Sequence, residues 1–269
     1  MNKPKSPIAF MLASTCHGAL ILNRFDYHRN PDGSAFGVGF EILRDGQYAP
    51  HEISVILQLL DLRRKYFGDG VTAVDCGANI GVHSIEMAKR MAEWGRVVAF
   101  EAQERVYYAL AGNIALNNCF NARAVHAAVT DACGSMRIPT PDYFQPASFG
   151  SLELRKRESP EFIGQTISYA EPDMVEVAGL TIDSLELGRI DFLKIDVEGM
   201  EMEVLAGAAS SIAANKPAML IEYIKVDQSQ LRQWLGQQGY AVAQVGINFL
   251  AIHESDPSLA QLQGSSFTV

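Results

Sequence analysis

The sequence predicts an α/β protein built on a doubly wound, mostly parallel sheet of seven strands, with a β-rich N-terminal segment and a β-rich insertion before the fourth strand. Three observations carry this expectation. From residue 71 onward, near-continuous apolar runs alternate with segments of helical periodicity, the pattern of a parallel sheet covered on both faces. The first of these runs ends in an acid and a glycine turn, "VDCGANIGVHS" (74–84), as strands do at the ligand edge of such sheets. Over 132–182 the alternation is broken by Pro139, Pro141, Pro146, Pro160 and Pro172, and it then resumes.

In chain order, "AFMLAS", "ALILNRF" and "FGVGFEIL" read as strands punctuated by the turn signals "NPDGS" and "RDGQ". The first two flank a turn at "TCHG". "HEISVILQLLDLRRKYFG" (51–68) has apolar residues at helical spacing and stops at Gly68 and Gly70. The core follows as strand "VTAVDCG", helix "GVHSIEMAKRMAEW", strand "RVVAFEA", helix "VYYALAGNIALNN" and strand "RAVHAAV". The insertion carries the strand-like pieces "GSMRIP", "GSLELR" and "VEVAGL", with Tyr143, Phe144 and Phe149 as candidates either to close over a ligand or to form a small core of their own. The series ends with "DFLKIDV", the helix "EMEVLAGAASSIA", "PAMLIEY", the helix "SQLRQWLGQQG", and the pair "YAVAQVG" and "NFLAIHE".

A chain of 269 residues with this pattern is expected to form one domain over 1–269, with a lead-in at 1–70, a core at 71–269 and an inserted flap at 132–182. Its composition, 48% hydrophobic and 20% charged, is that of a globular protein with a packed core. A net charge of −9 argues against a nucleic-acid partner, and the short basic run "LRKR" (154–157) does not alter that. Cys16, Cys76, Cys119 and Cys133 show no metal-ligand or disulfide spacing, which fits a cytoplasmic protein. After "MNKPK", the apolar run 8–22 is interrupted by His17 and Gly18, so a strand pair suits it better than a signal peptide. No run is long enough for a membrane span.

In "VDCGANIGVHS", Gly77 and Gly81 bracket a tight turn that opens a helix, whose free N–H groups form a positive dipole end. A dinucleotide fingerprint would need GxGxxG, but Asn79 stands at the second glycine's place. Asp75 would also repel a pyrophosphate. An acid there suits a cationic ligand without phosphate, such as S-adenosylmethionine, and Glu101 at the end of the second strand is placed to accept ribose hydroxyls. The alternative makes Asp75 a turn residue and Glu101 a solvated strand end.

Together "VDCGANIGVHS", "FEAQERVYYALAGN", "AAVTDACG" and "LKIDVEGMEMEVLAGA" resemble the FkbM-type S-adenosylmethionine-dependent methyltransferases over roughly residues 70–225. The resemblance implies a class I methyltransferase (Rossmann-like) sheet. It also implies that Asp75, Gly77, Ala78, Asn79 and Gly81 surround the methionine part of the cofactor, that Glu101 and Ala102 lie at the ribose, and that Asp131, ending the third strand, lies near adenine or serves as a turn residue.

With "FLKIDV" beside the first strand and "AMLIEY" next, Asp196 and Glu222 converge on the same sheet edge as Asp75. They are the candidate general bases for methylating a hydroxyl on a small molecule. Glu198, Glu201 and Glu203 fall in the first turns of a helix, where negative charge is favoured. Lys194 and Lys225 are candidate partners for these acids. His83 and His253 are alternative bases. Strand-end oxygens suit Mg²⁺, but the spacing does not demand it, and no metal is assigned. "DVEG" in place of an Asn/Asp-Pro-Pro-aromatic block argues against base methylation. Two rival readings stay open: an NAD-dependent oxidoreductase, and a non-catalytic S-adenosylmethionine-binding protein. An exposed edge in the entry segment would permit oligomers.

Overall fold

The computed structural model describes residues 8–264; "MNKPK" at 1–5 lies outside the described residues. The chain divides into two compact units, one formed by residues 8–48 with Arg137–Glu176 and the other by Ala49–Met136 with residues 177–264.

In the first unit, β1 (Phe10–Thr15) and β2 (Gly18–Asn23) form the expected antiparallel hairpin. The Thr15 hydroxyl ties its turn, donating to Gly18 O and accepting from His17 N–H. β3 (His28–Arg29) and β4 (Ala35–Phe36) form a short second ladder. "FGVGFEIL" is not the strand its alternating pattern suggests but the helix α1 (Val38–Asp45). Val38 and Ile42, one helical turn apart, share its buried face. The buried Asp26 accepts the Gly39 N–H at 2.9 Å, and left-handed Gly46 closes the other end with its N–H on Ile42 O. These end contacts outweigh the alternation.

The rest of this unit is largely irregular rather than β-rich. "GSLELR", expected as a strand, begins in a 3-10 turn at Phe149–Ser151 and continues without regular structure. Ala147, Phe149, Leu152 and Ile163 form a small core joined by Phe25, Tyr143 and Ile167, so two of the three aromatics singled out above pack into the unit itself. Phe144 is half exposed.

The second unit opens with α2 (Pro50–Phe67), which stops at Gly68 as its sequence predicts. Then come β5 (Val71–Cys76), α3 (Val82–Arg90), β6 (Gly95–Glu101), α4 (Glu104–Leu116) and β7 (Ala122–His126). The expected third strand breaks here: β8 (Ala128–Val129) joins a separate sheet with β9 (Gly134–Pro139) and β10 (Met174–Leu180), in the order β8-β10-β9. β11 (Phe192–Ile195) follows. The next helix is split into α5 (Glu201–Ala206) and α6 (Ala209–Asn215) around Gly207, where a Cβ would stand 2.1 Å from the Thr130 carbonyl oxygen. β12 (Ala218–Glu222), α7 (Gln228–Gln237), β13 (Tyr240–Val245), β14 (Asn248–His253) and α8 (Ser258–Gly264) complete the chain.

The main sheet runs β13-β14-β12-β11-β5-β6-β7, with β14 antiparallel to both of its neighbours and the other pairs parallel. This is the doubly wound, seven-stranded class I methyltransferase arrangement. The chain winds outward one way from β5 and the other way from β11, which makes their shared edge the switch point where ligands bind in such sheets. Near the opposite edge, the buried Arg63 of α2 binds Asp256 at 2.5 Å and lies 3.4 Å from Asp191. Among the described residues no helix is long and apolar enough to cross a membrane.

Candidate functional site

Parallel register brings the carboxyl ends of β5, β6, β11 and β12 to one edge. Ile195 pairs with Cys76 on one side and Ile221 on the other, and the Asp196 N–H continues the ladder onto Cys76 O at 3.0 Å. Asp196 therefore stands beside Gly77, and Glu222 ends the next strand.

The glycine turn is built tightly. Gly77 has φ +81°, and a Cβ there would lie 1.8 Å from the Asp196 carbonyl oxygen. Its freedom lets two strand ends close on each other, a packing need that the motif alone did not reveal. Asn79 has φ +50° and accepts the Ile80 N–H at 2.7 Å. Its own N–H donates to Glu101 at 3.0 Å, while the other Glu101 oxygen accepts the Gln103 N–H at 2.8 Å. Glu101 thus clasps the turn to the second strand. Burial, opposed by these backbone donors, raises its pKa to about 7. Ala78 and Ala102 are buried beside it, and Ala102 O accepts from His126 Nε2 at 3.0 Å.

Asp75 has no exposed surface; it accepts the Ser84 hydroxyl at 2.6 Å through Oδ2, and its Oδ1 is buried without a partner. In register beside it on β11 is Lys194, equally buried, whose ammonium binds Asp196 at 2.7 Å. Burial works against this charge, but Asp196, Glu52 and Asp75 outweigh it and raise Lys194 well above its ordinary pKa.

Around Asp196 the acids separate into two kinds. Glu201 is structural: fully buried, it accepts the N–H groups of Val197 and Gly199, both at 3.1 Å, and shapes the "DVEG" turn. Glu198, expected in the helix, lies before it in that turn at φ +57° and pairs with Lys225 at 2.5 Å. Glu222 is 6% exposed, and its Oε2 has no hydrogen-bond partner. Burial first, then Asp196 and Glu198, push its pKa up to about 10. One carboxylate oxygen from each of Asp196, Glu198 and Glu222 lies within 4.8 Å of the others.

Three sequence expectations find different surroundings. Asp131 follows β8, outside the main sheet, and is exposed with the Thr130 hydroxyl on its carboxylate; the third strand ends instead at His126, stacked on Tyr107. His253 lies at the far edge, because β14 runs antiparallel and it is Asn248 that pairs with Glu222. Five residues at about 3.3 Å each separate the two positions. His83 does belong to this side of the sheet, but its Nε2 contacts Glu52 at 3.1 Å. Glu52, also bonded by Asn248 at 3.0 Å, has its pKa lowered to about 2 by His83, Lys194 and Asn248, against the effect of burial. In the sequence it is only an acid in the first turn of a helix, which carries no functional signal.

A model of the methyltransferase FkbM domain matches residues 75–242. Among curated proteins, the methyltransferase sdnD of Sordaria araneosa is 31% identical over 153 residues, which cover 50% of this chain and 59% of that protein. Among solved structures, a methyltransferase FkbM from Methylobacillus flagellatus KT aligns over 71% of this chain and 48% of its own, at 16% identity and a TM-score of 0.49. The N-terminal domain of human METTL16, solved in complex with S-adenosylhomocysteine, aligns over 84% of this chain and 86% of its own, at 12% identity and a TM-score of 0.43. The chain thus spans little more than half the length of the curated relative.

Proposed function

We propose, from the premise that the chain belongs to the FkbM methyltransferase family, that it binds S-adenosylmethionine at the β5–β11 switch point and methylates a hydroxyl oxygen of a small molecule such as a sugar, lipid or secondary metabolite. The observation that carries this reading is the convergence of the Asp75–Gly81 turn, Glu101 and the acids Asp196 and Glu222 on one sheet edge.

The residues fit that cofactor. Asp75 and Asn79 border the place of its amino-acid part, where the unpartnered Asp75 Oδ1 suits an ammonium or a water bound to one. Glu101 keeps acceptor capacity for ribose hydroxyls beyond its two backbone donors. When bound, S-adenosylmethionine supplies an electrophilic methyl group on a cationic sulfur. Asp196, with about a third of its side chain exposed, is the carboxylate an acceptor reaches first. Its role would be to accept the proton of the acceptor hydroxyl, so that the oxygen would be free to take the methyl group the cofactor would supply. A carboxylate held against the sulfonium would favour the ground state, so the productive place for Asp196 is beside the attacking oxygen. Base catalysis of this kind is worth ~10² to 10⁴ in rate. Lys194 holds the Asp196 carboxylate in position.

Calorimetric titration with S-adenosylhomocysteine, S-adenosylmethionine and NAD(H), on wild type and Glu101→Gln, tests the cofactor. Micromolar binding of the first two, at least tenfold weaker in the variant, is expected. Binding of NAD(H) alone would refute the reading, and tight cofactor binding without methyl transfer to any hydroxyl acceptor would favour a binding protein. A cytoplasmic location belongs to the same proposal.

A further inference from the structure

We propose that Asp196, Glu198 and Glu222 form a binding site for one divalent cation of the Mg²⁺ or Mn²⁺ class. The three residues come from two chain segments, the "DVEG" turn after β11 and the end of β12, and each offers a carboxylate oxygen within 4.8 Å of the other two. That spread suits hard cations bound at about 2.0 to 2.6 Å by oxygen ligands.

The independent sign of a missing ligand is Glu222. It is 94% buried, counted from its 6% exposure, and its Oε2 has no hydrogen-bond partner although it lies among two other carboxylates. A buried carboxylate oxygen left unsatisfied is costly. Asp75 Oδ1 and Glu201 Oε2 are also buried without a hydrogen-bond partner, but each of those carboxylates is anchored through its other oxygen, by Ser84 and by the Val197 and Gly199 N–H groups, and neither belongs to the three-residue cluster. A divalent ion would supply the contact that Glu222 Oε2 lacks.

The opening of the site suits an ion that keeps part of its water shell, as Mg²⁺ does. Asp196 is 31% exposed at its side chain and faces solvent, whereas Glu198 and Glu222 lie deeper. The role of the cation rests on the proposed methyl transfer: a Lewis acid here favours the oxyanion form of an acceptor hydroxyl. Its binding does not.

The test is titration of the full chain with Mn²⁺ alone, following the free-ion electron paramagnetic resonance signal, with Mg²⁺ as competitor and S-adenosylhomocysteine binding measured on the same samples. The expected result is one saturable Mn²⁺ per chain, displaced by Mg²⁺, weakened at least tenfold in Glu222→Gln and Asp196→Asn and unchanged in Glu254→Gln, an exposed acid elsewhere. Unaltered circular dichroism of each variant excludes misfolding as the cause. Absence of saturable binding up to millimolar Mn²⁺, or equal binding by wild type and both site variants, would overturn the site. Mn²⁺ binding without S-adenosylhomocysteine binding would support the cation site while refuting the cofactor reading, and the reverse pattern would do the opposite.

Discussion

Replacing Gly77 with alanine is expected to destabilise the protein by about 2 to 5 kcal/mol and to disturb the acid edge at the same time. The figure has two parts. An L-residue in the left-handed region, at φ +81°, costs roughly 1 to 2 kcal/mol. The new Cβ would also stand 1.8 Å from the Asp196 carbonyl oxygen, and reaching even 3.0 Å requires a shift of 1.2 Å in backbone that is hydrogen-bonded to Cys76 O. Overpacking against a part that cannot rotate away adds roughly 1 to 3 kcal/mol. Gly81→Ala is the matched comparison: φ is +90°, but its Cβ meets the Leu110 side chain at 2.5 Å, which can change rotamer, so strain of about 1 to 2 kcal/mol dominates. Urea unfolding of the three proteins gives the difference directly. A Gly77→Ala loss no larger than that of Gly81→Ala would refute the assignment of this glycine to strand-end packing. Because the shift acts on Asp196, S-adenosylhomocysteine affinity is also expected to fall further in Gly77→Ala.

Arg63→Met leaves Asp256 and part of Asp191 buried without their cation and is expected to cost about 3 to 5 kcal/mol in urea unfolding; a loss below 1 kcal/mol would mean the pair contributes little. Glu52 has a folded pKa of about 2 against an ordinary 4.5, so its ionisation stabilises the fold above pH 4.5 and that contribution is lost as pH falls toward 2. The full effect is about 3 kcal/mol, and the stability gap between wild type and Glu52→Gln should close between pH 5 and 2; a gap independent of pH would contradict the pairing. Asp26→Asn removes an acceptor from the Gly39 or Phe149 N–H and is expected to cost about 1 to 3 kcal/mol, with faster hydrogen exchange at those two amides. Unchanged exchange there would show that the carboxylate is not what holds them.

The parallel core was legible because its signals are redundant: continuous apolar strands, helices between them, and an acid at the end of β6 and β12 and one residue before the end of β5, all at one edge. Periodicity failed where runs were short. "FGVGFEIL" alternates, but a distant carboxylate, Asp26, and a left-handed Gly46 decide for a helix. "RAVHAAV" gives no sign that its last residues leave the sheet after His126, since the strand they join lies some fifty residues later. At the site, Asp196 and Glu222 could be placed from strand ends alone. Glu198, Glu52 and Asn248 could not, because turn conformation and the antiparallel return of β14 bring them in, and neither is written in local spacing.

The first unit is discontinuous in sequence, and this has a consequence during synthesis. Asn23 bonds Tyr143 across 120 residues and Asp26 bonds Phe149 across 123, so the N-terminal hairpin shares a core with chain made much later. Closing a flexible loop of that length costs about 4 kcal/mol. At roughly 5 to 20 residues per second, a ribosome delivers the second segment about 6 to 24 s after the first. For that interval Phe10, which later packs against Tyr143, and Phe25, which later packs on the cluster of Ala147, Phe149, Leu152 and Ile163, have no native surface to cover them, so the nascent hairpin carries its apolar face exposed until the second segment is made.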